Sequence, residues 1–261
     1  MNRLNLGQFY AGNSFLHRLD PRVKLVCVIA FITSLLFISQ WIWLGLAAIF
    51  VLVIIFVSQV PILFFLRGMR MIFYIVTFAM LINIFLTPGE YVLFSFSFIR
   101  ISSEGIYRAF FMALRLVLLV ASSTLLTLTT SPIKLTDGIE SLLRLTPLPA
   151  HDIAIMMTIA LRMIPTLSEE TEKIMKAQKS RGADFNGNIF KRIKSFLPIL
   201  VPLFVSSFKR ADEMATAMEA RCYRGGINRT KLSPLRMQRA DWLTLLIVGL
   251  FCITIILTRF L

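Results

Sequence analysis

From residue 43 to residue 57 the chain carries no charge, reading Trp43-Leu44-Gly45-Leu46-Ala47-Ala48 and then only Ile, Phe, Val and Leu. Inside hydrocarbon a backbone has no water to pair with, so such a run is stable there as a helix whose hydrogen bonds close within itself. Four further apolar runs lie at about 23–39, 71–86, 110–130 and 242–257. Each is near or below the roughly 20 residues that cross a bilayer core, so interfacial residues must complete the ends. Trp41 and Trp43 stand at the bend after the first run, Thr87-Pro88-Gly89-Glu90 stops the third, and Trp242 and Arg259 bracket the last. Composition agrees: 57% of residues are hydrophobic and 16% charged, against about 25% charged in a soluble domain. The expected fold class is all-α, a polytopic helical membrane protein with about five transmembrane helices.

The net charge of +14 would by itself fit nucleic acid, but 18 of the 28 Lys and Arg lie between Lys134 and Arg239. That concentration predicts a large cytoplasmic segment instead. The order of the runs then places the N-terminus inside and the C-terminus outside, with 24 of 28 basic residues on the inner side. The organisation expected is a lead segment with four transmembrane helices at 1–130, a cytoplasmic segment at 131–240 and a last transmembrane helix at 241–261. Residues 1–20 are polar and show no cleavable signal, so the first crossing should remain as an anchor. Cys27, Cys222 and Cys252 show no pairing pattern and read as free thiols.

Local signals place the connections. Asp20 is expected to cap the first membrane helix, with Pro21 as its first residue, where a missing N–H costs nothing. Pro61, Arg67 and Arg70 read as a basic connection, and residues 91–109 as a short extended or interfacial one. Arg108 and Arg115 share a helix face, so Arg115 is expected to snorkel toward the outer headgroups. The apolar stretch 153–161 is too short to span and reads as a helix lying in protein or at the interface.

Within the basic segment two amphipathic helices are expected. The first starts at Ile164 and carries Ile164, Leu167, Ile174 and Met175 on one face. Its other face carries Glu169, Glu170, Glu172, Lys173, Lys176 and Lys179, with i,i+4 pairs Glu169–Lys173 and Glu172–Lys176. The second begins after 184–188, should bend or break at Pro198 and Pro202, and continues with Phe204, Phe208, Ala211, Ala215 and Met218 on its apolar face. Each ends in a related motif: Ser180-Arg181-Gly182, with Gly182 as cap, and Ala220-Arg221-Cys222, with Gly225-Gly226 ending the helix. A guanidinium offers five donors in a planar fork, so an arginine at an exposed helix tip can bind a carboxylate or the helix-end carbonyls of a docked protein. The plainer role is to stabilise its own helix end through the dipole; two copies in one segment favour docking.

These residues resemble the transmembrane T component (EcfT) of energy-coupling factor transporters. The likeness is carried by Leu16-His17-Arg18-Leu19-Asp20-Pro21-Arg22-Val23-Lys24-Leu25, by Ala160-Leu161-Arg162-Met163-Ile164-Pro165 leading to Ala177-Gln178-Lys179-Ser180-Arg181-Gly182, and by Phe208-Lys209-Arg210-Ala211-Asp212-Glu213 leading to Ala217-Met218-Glu219-Ala220-Arg221. The family pattern at each helix end is close to Ala-Arg-Gly, so Ser180 and Cys222 are departures. The resemblance implies long cytoplasmic coupling helices that dock onto two ATP-binding cassette ATPase subunits through Arg181 and Arg221. It also implies apolar surfaces that hold a separate substrate-binding membrane subunit, in a multi-pass protein of the cell membrane. The stretch 126–137 is similar to the subgroup that serves several interchangeable substrate-binding subunits.

The rival classes are an intramembrane enzyme and a self-contained channel or carrier. His17 and His151 are not in a metal-binding spacing, no Ser/His or acid pair lies within the spans, and no phosphate loop is present. Asn83 and Arg115 are nearly the only polar groups at membrane depth, too few for a solute path. No catalytic residue, cofactor or metal is therefore assigned, and ATP hydrolysis is expected from the partners.

Overall fold

A computed structural model of the chain describes residues 9–10, 12, 14–86, 92–96, 99–144, 149–183, 189–225, 235 and 237–260. In order, the elements are α1 (Phe15–Arg18), α2 (Pro21–Phe37), α3 (Trp41–Ser58), α4 (Ile62–Leu86), strands β1 (Val92–Phe96) and β2 (Ile99–Ser102), α5 (Ser103–Thr129), α6 (Pro132–Leu143), α7 (Ala150–Ser180), α8 (Ile189–Ala220) and α9 (Arg239–Phe260). They fall into two units. One comprises Gly7–Gly138 with Pro234–Leu261, and the other contains Ile139–Ser233.

In the first unit α5 is central, packing against α2, α3 and α4, while α2 also packs on α9. The core is a seam of Phe31, Leu35, Leu44, Ala47, Leu118, Ala121, Leu125, Leu128, Cys252 and Ile255. Phe50 stacks on Phe251 at 4.7 Å and lies 5.7 Å from Phe31, joining α3, α9 and α2. Outside that seam the surface is greasy: Leu63 and Met71 are 81% and 79% exposed, which water does not favour and lipid does. Among the described residues four helices are long and apolar enough to cross a membrane: α3, α4, α5 and α9. The expected first crossing, α2, has 17 residues, about 25 Å at 1.5 Å per residue, and depends on interfacial residues to complete it.

One connection and one side chain differ from expectation. Arg67 and Arg70 lie inside α4, not in a loop, because the turn between α3 and α4 is made by Gln59 in the left-handed region (φ 55°) and by Pro61, whose carbonyl accepts from Phe64 and Phe65 N–H. Arginine is a good helix former, so charge limits the apolar run without ending the helix. Arg115 does not snorkel freely: its guanidinium donates to the Ile38 carbonyl just past the end of α2 and lies 5.1 Å from the centre of the Phe111 ring. The extended connection is a β1–β2 antiparallel hairpin, with Phe96 opposite Ile99, and Ser102 Oγ accepts from Gly105 N to cap α5. Residues 87–90 lie outside the described residues.

The polar N-terminal motif folds into a buried clamp. Asp20 caps α2 as expected, its Oδ1 accepting from Arg22 N at 2.9 Å, and its own N–H donates to Asp241 Oδ1 at 2.8 Å. Asp241 Oδ2 also accepts from Gln238 N at 2.7 Å, the backward reach of a capping acid in the first turn of α9. Lys24 Nζ donates to the Thr129 carbonyl and to Thr130 Oγ1 at the end of α5. His17 Nε2 donates to the Tyr10 carbonyl, and its Nδ1 lies 2.7 Å from Ser14 Oγ. Burial chiefly holds its pKa below the usual histidine value, against the opposing pull of the Tyr10 carbonyl. Gly138 of α6 completes the packing, since a Cβ there would come within 3.2 Å of Pro21 Cβ.

Candidate functional site

The second unit is built on α7 and α8. Gln178 Nε2 donates to the Pro198 carbonyl at 3.5 Å, Glu170 meets Ser206 and Arg210, and the Tyr223 hydroxyl lies 3.3 Å from His151 Nε2. As the number rises along one helix it falls along the other, so the two form an antiparallel hairpin. Its middle is held by Glu170, which accepts from Ser206 Oγ at 2.5 Å and from Arg210 Nη2 at 2.7 Å. The Ser206 hydroxyl, and then the Arg210 guanidinium, hold the Glu170 carboxyl below the usual carboxylate range.

Both helices run longer than their sequence suggests. The 153–161 stretch and the helix from Ile164 are one element, continuous through Pro165, and α8 is continuous through Pro198 and Pro202. A proline removes one hydrogen bond from the ladder. Pro165 and Pro202 lie between points where α7 and α8 touch, and the Pro198 carbonyl is itself such a point. Glu170, expected on the solvated face, points to α8 instead. Neither expected i,i+4 pair is closed among the described residues. The face of α8 that meets α7 carries Ser206 and Arg210, whereas Phe204 and Phe208 are 60% and 69% exposed and Ala211 and Ala215 are exposed too. Met218 is half-buried, as are Leu167, Ile174 and Met175 of α7, while Ile164 is exposed.

The two arginine motifs fold identically. After α7, Gly182 N donates to the Lys179 carbonyl and Ala183 N to that of Gln178, with Gly182 at φ +85°. After α8, Cys222 N donates to the Glu219 carbonyl and Tyr223 N to that of Met218, with Cys222 at φ +55°. Both are Schellman endings, which satisfy carbonyls that a helix otherwise leaves unpaired. Arg181 and Arg221 occupy the same position in each, the residue just before the left-handed one. The second helix therefore ends at Ala220 with Cys222 in the place of glycine, and Gly225-Gly226 is not its cap; Gly226 lies outside the described residues. Ser180, Arg181, Gly182, Ala220, Arg221 and Cys222 are all exposed. From Pro198, opposite Gln178, to Arg221 the distance along α8 is on the order of 35 Å, so the arginines mark opposite ends of the hairpin.

Sequence reasoning found the motifs and missed what holds them. Glu170 with Arg210, and His151 with Tyr223, are 40 and 72 residues apart, beyond any local periodicity.

A family model described as CbiQ, cobalt transport protein, matches residues 12–232. The energy-coupling factor transporter transmembrane protein EcfT of Thermosediminibacter oceani is 47% identical, covering 100% of this chain and 99% of that protein. The EcfT proteins of Acidaminococcus fermentans and Listeria innocua are 50% and 46% identical over 95% and 96% of this chain and 94% and 95% of their own lengths. With four membrane-length apolar helices and this likeness along its whole length, the chain is a multi-pass membrane protein that belongs to the CbiQ family and, within it, to the EcfT transmembrane proteins of energy-coupling factor transporters.

Proposed function

We propose that the chain is the non-catalytic scaffold that couples ATP hydrolysis on two partner ATP-binding cassette ATPases to movement of a separate substrate-binding membrane subunit. The observation that carries this is the pair of identical helix endings, each exposing an arginine, at opposite ends of one hairpin. Two tips about 35 Å apart suit two partner subunits better than one. The exposed Phe204 and Phe208 supply an apolar face for the substrate-binding subunit. The residues that choose the solute would belong to that other subunit, so the scaffold itself does not set which solute is carried.

Replacing Arg181 and Arg221 together by Ala tests the reading. Removing one member of a desolvated charge pair at an interface typically costs about 2 to 5 kcal/mol. The double variant should still insert in the membrane but lose its ATPases on purification and lose uptake. Lys should restore function only in part, because an ammonium lacks the planar fork. If the arginines serve only their own helix ends, the loss is roughly 0.3 to 1 kcal/mol of local stability. Near-normal uptake by the double variant at matched expression would overturn the docking role.

A further inference from the structure

Between the Glu170–Arg210 pair and the Arg221 end the hairpin is open. A cavity of about 790 Å³ separates the helices there, lined by Ile159, Arg162 and Met163 of α7 and by Met214, Met218 and Arg221 at the α8 side. Beyond it the chain closes up again. The Tyr223 hydroxyl lies 3.3 Å from His151 Nε2, and the two rings stack at 6.5 Å with 24° between their planes. Tyr223 is not a neutral bystander: its own N–H makes the long closing bond of the Schellman motif around Arg221. On the far side of the imidazole, Nδ1 is 3.9 Å from Glu140 Oε1, a carboxylate oxygen that Arg144 Nη2 already holds at 2.8 Å. The Glu140 side chain is 5% exposed, so this anchor is fixed. The imidazole thus stands between a fixed carboxylate on its Nδ1 side and the Tyr223 hydroxyl on its Nε2 side.

We infer that His151 is a positioning residue for Arg221: it clasps Tyr223 to the start of α7 and so helps set where the arginine points. The inference rests on the docking role of Arg221, and it adds a residue that aims it. The cavity beside the clasp leaves room for the end of α8 to shift when that contact is lost, and the arginine would then sample orientations that its partner does not accept.

The test reads hydrogen exchange at the Tyr223 amide, which closes the end of α8, in the full chain in detergent, and uptake per ATP hydrolysed in the complete transporter complex. Tyr223→Phe keeps the ring and removes the hydroxyl; His151→Leu removes the ring nitrogen; His151→Gln restores a polar group of similar reach. Tyr223→Phe and His151→Leu should each speed that exchange and lower uptake per ATP hydrolysed about two- to tenfold, the range of one ordinary hydrogen bond. His151→Gln should recover most of both. The double variant should be no worse than either single one, since both break the same contact. Exchange unchanged in His151→Leu, a His151→Gln as impaired as His151→Leu, or additive losses in the double variant would each overturn the clasp. Exchange in the full chain is read without the ATPases, so failure of the docking role, shown by normal uptake in Arg221→Ala, is distinguishable from failure of the clasp.

Discussion

Cys222 holds a backbone conformation that costs an L-residue about 1 to 2 kcal/mol and costs glycine nothing. At the equivalent place Gly182 meets the same demand without strain. Cys222→Gly should therefore steady the end of α8 by about 1 kcal/mol, and Gly182→Ala should weaken the end of α7 by a similar amount. Hydrogen exchange at the amides of residues 222 and 223, and of 182 and 183, reads this directly, and faster exchange in Cys222→Gly would contradict it. His17 gives a prediction in pH. A histidine whose folded pKa is depressed contributes stability that is complete above the unfolded value of about 6.5 and is lost as pH falls toward the folded one. Thermal stability should thus drop on acidification from pH 7.5 to 5.5, and His17→Gln, which cannot titrate, should flatten that dependence. Equal slopes in both proteins would remove His17 from the account.

At the scale of elements, the start of α2 and the end of α7 were readable from sequence, while the start of α7, the cap of α8 and the partners of the helices were not. Asp20-Pro21 and the glycine after Arg181 act within a turn of where they stand, so their residue types suffice to place a cap. The register of α7 on α8 is set by Glu170 finding Arg210, and an acid among many acids and bases carries no mark of which one it will reach. The apolar stripe of Phe204, Phe208, Ala211 and Ala215 was legible as a stripe, yet α7 covers a different face; periodicity reports that a face needs cover, not what supplies it. Asp241 escaped notice for the same reason. It is 2% exposed and joins two helices through donors at Asp20 and Gln238. Asp241→Ala should strand both N–H groups, each costing about 1 to 3 kcal/mol when buried unpaired. The expected result is a large fall in melting temperature, with Asp241→Asn, which keeps one acceptor, in between. A neutral Asp241→Ala would mean that water replaces the carboxylate.

For the whole molecule, the concentration of basic residues predicts that the hairpin lies on the inner side of the membrane. In intact cells a membrane-impermeant maleimide should react with a cysteine introduced at Gly89 and spare the exposed native Cys222; labelling of Cys222 from outside would reverse the orientation. The hairpin itself has a property that neither helix has alone. Arg181 and Arg221 are separated by 40 residues, and so are Glu170 and Arg210, which touch at its middle. Equal spacing on antiparallel helices gives the register of the hairpin an approximate dyad about that contact, which pairs one arginine ending with the other. A surface with a dyad is matched by two subunits of like fold related by a dyad of their own. The correspondence fails at one point: Gln178 reaches Pro198, whereas their counterparts Met218 and Thr158 face the open cavity. Two otherwise equivalent partners would therefore meet one end closed through Gln178 and another closed through Tyr223 and His151 beyond a cavity, and the two seats would not be interchangeable.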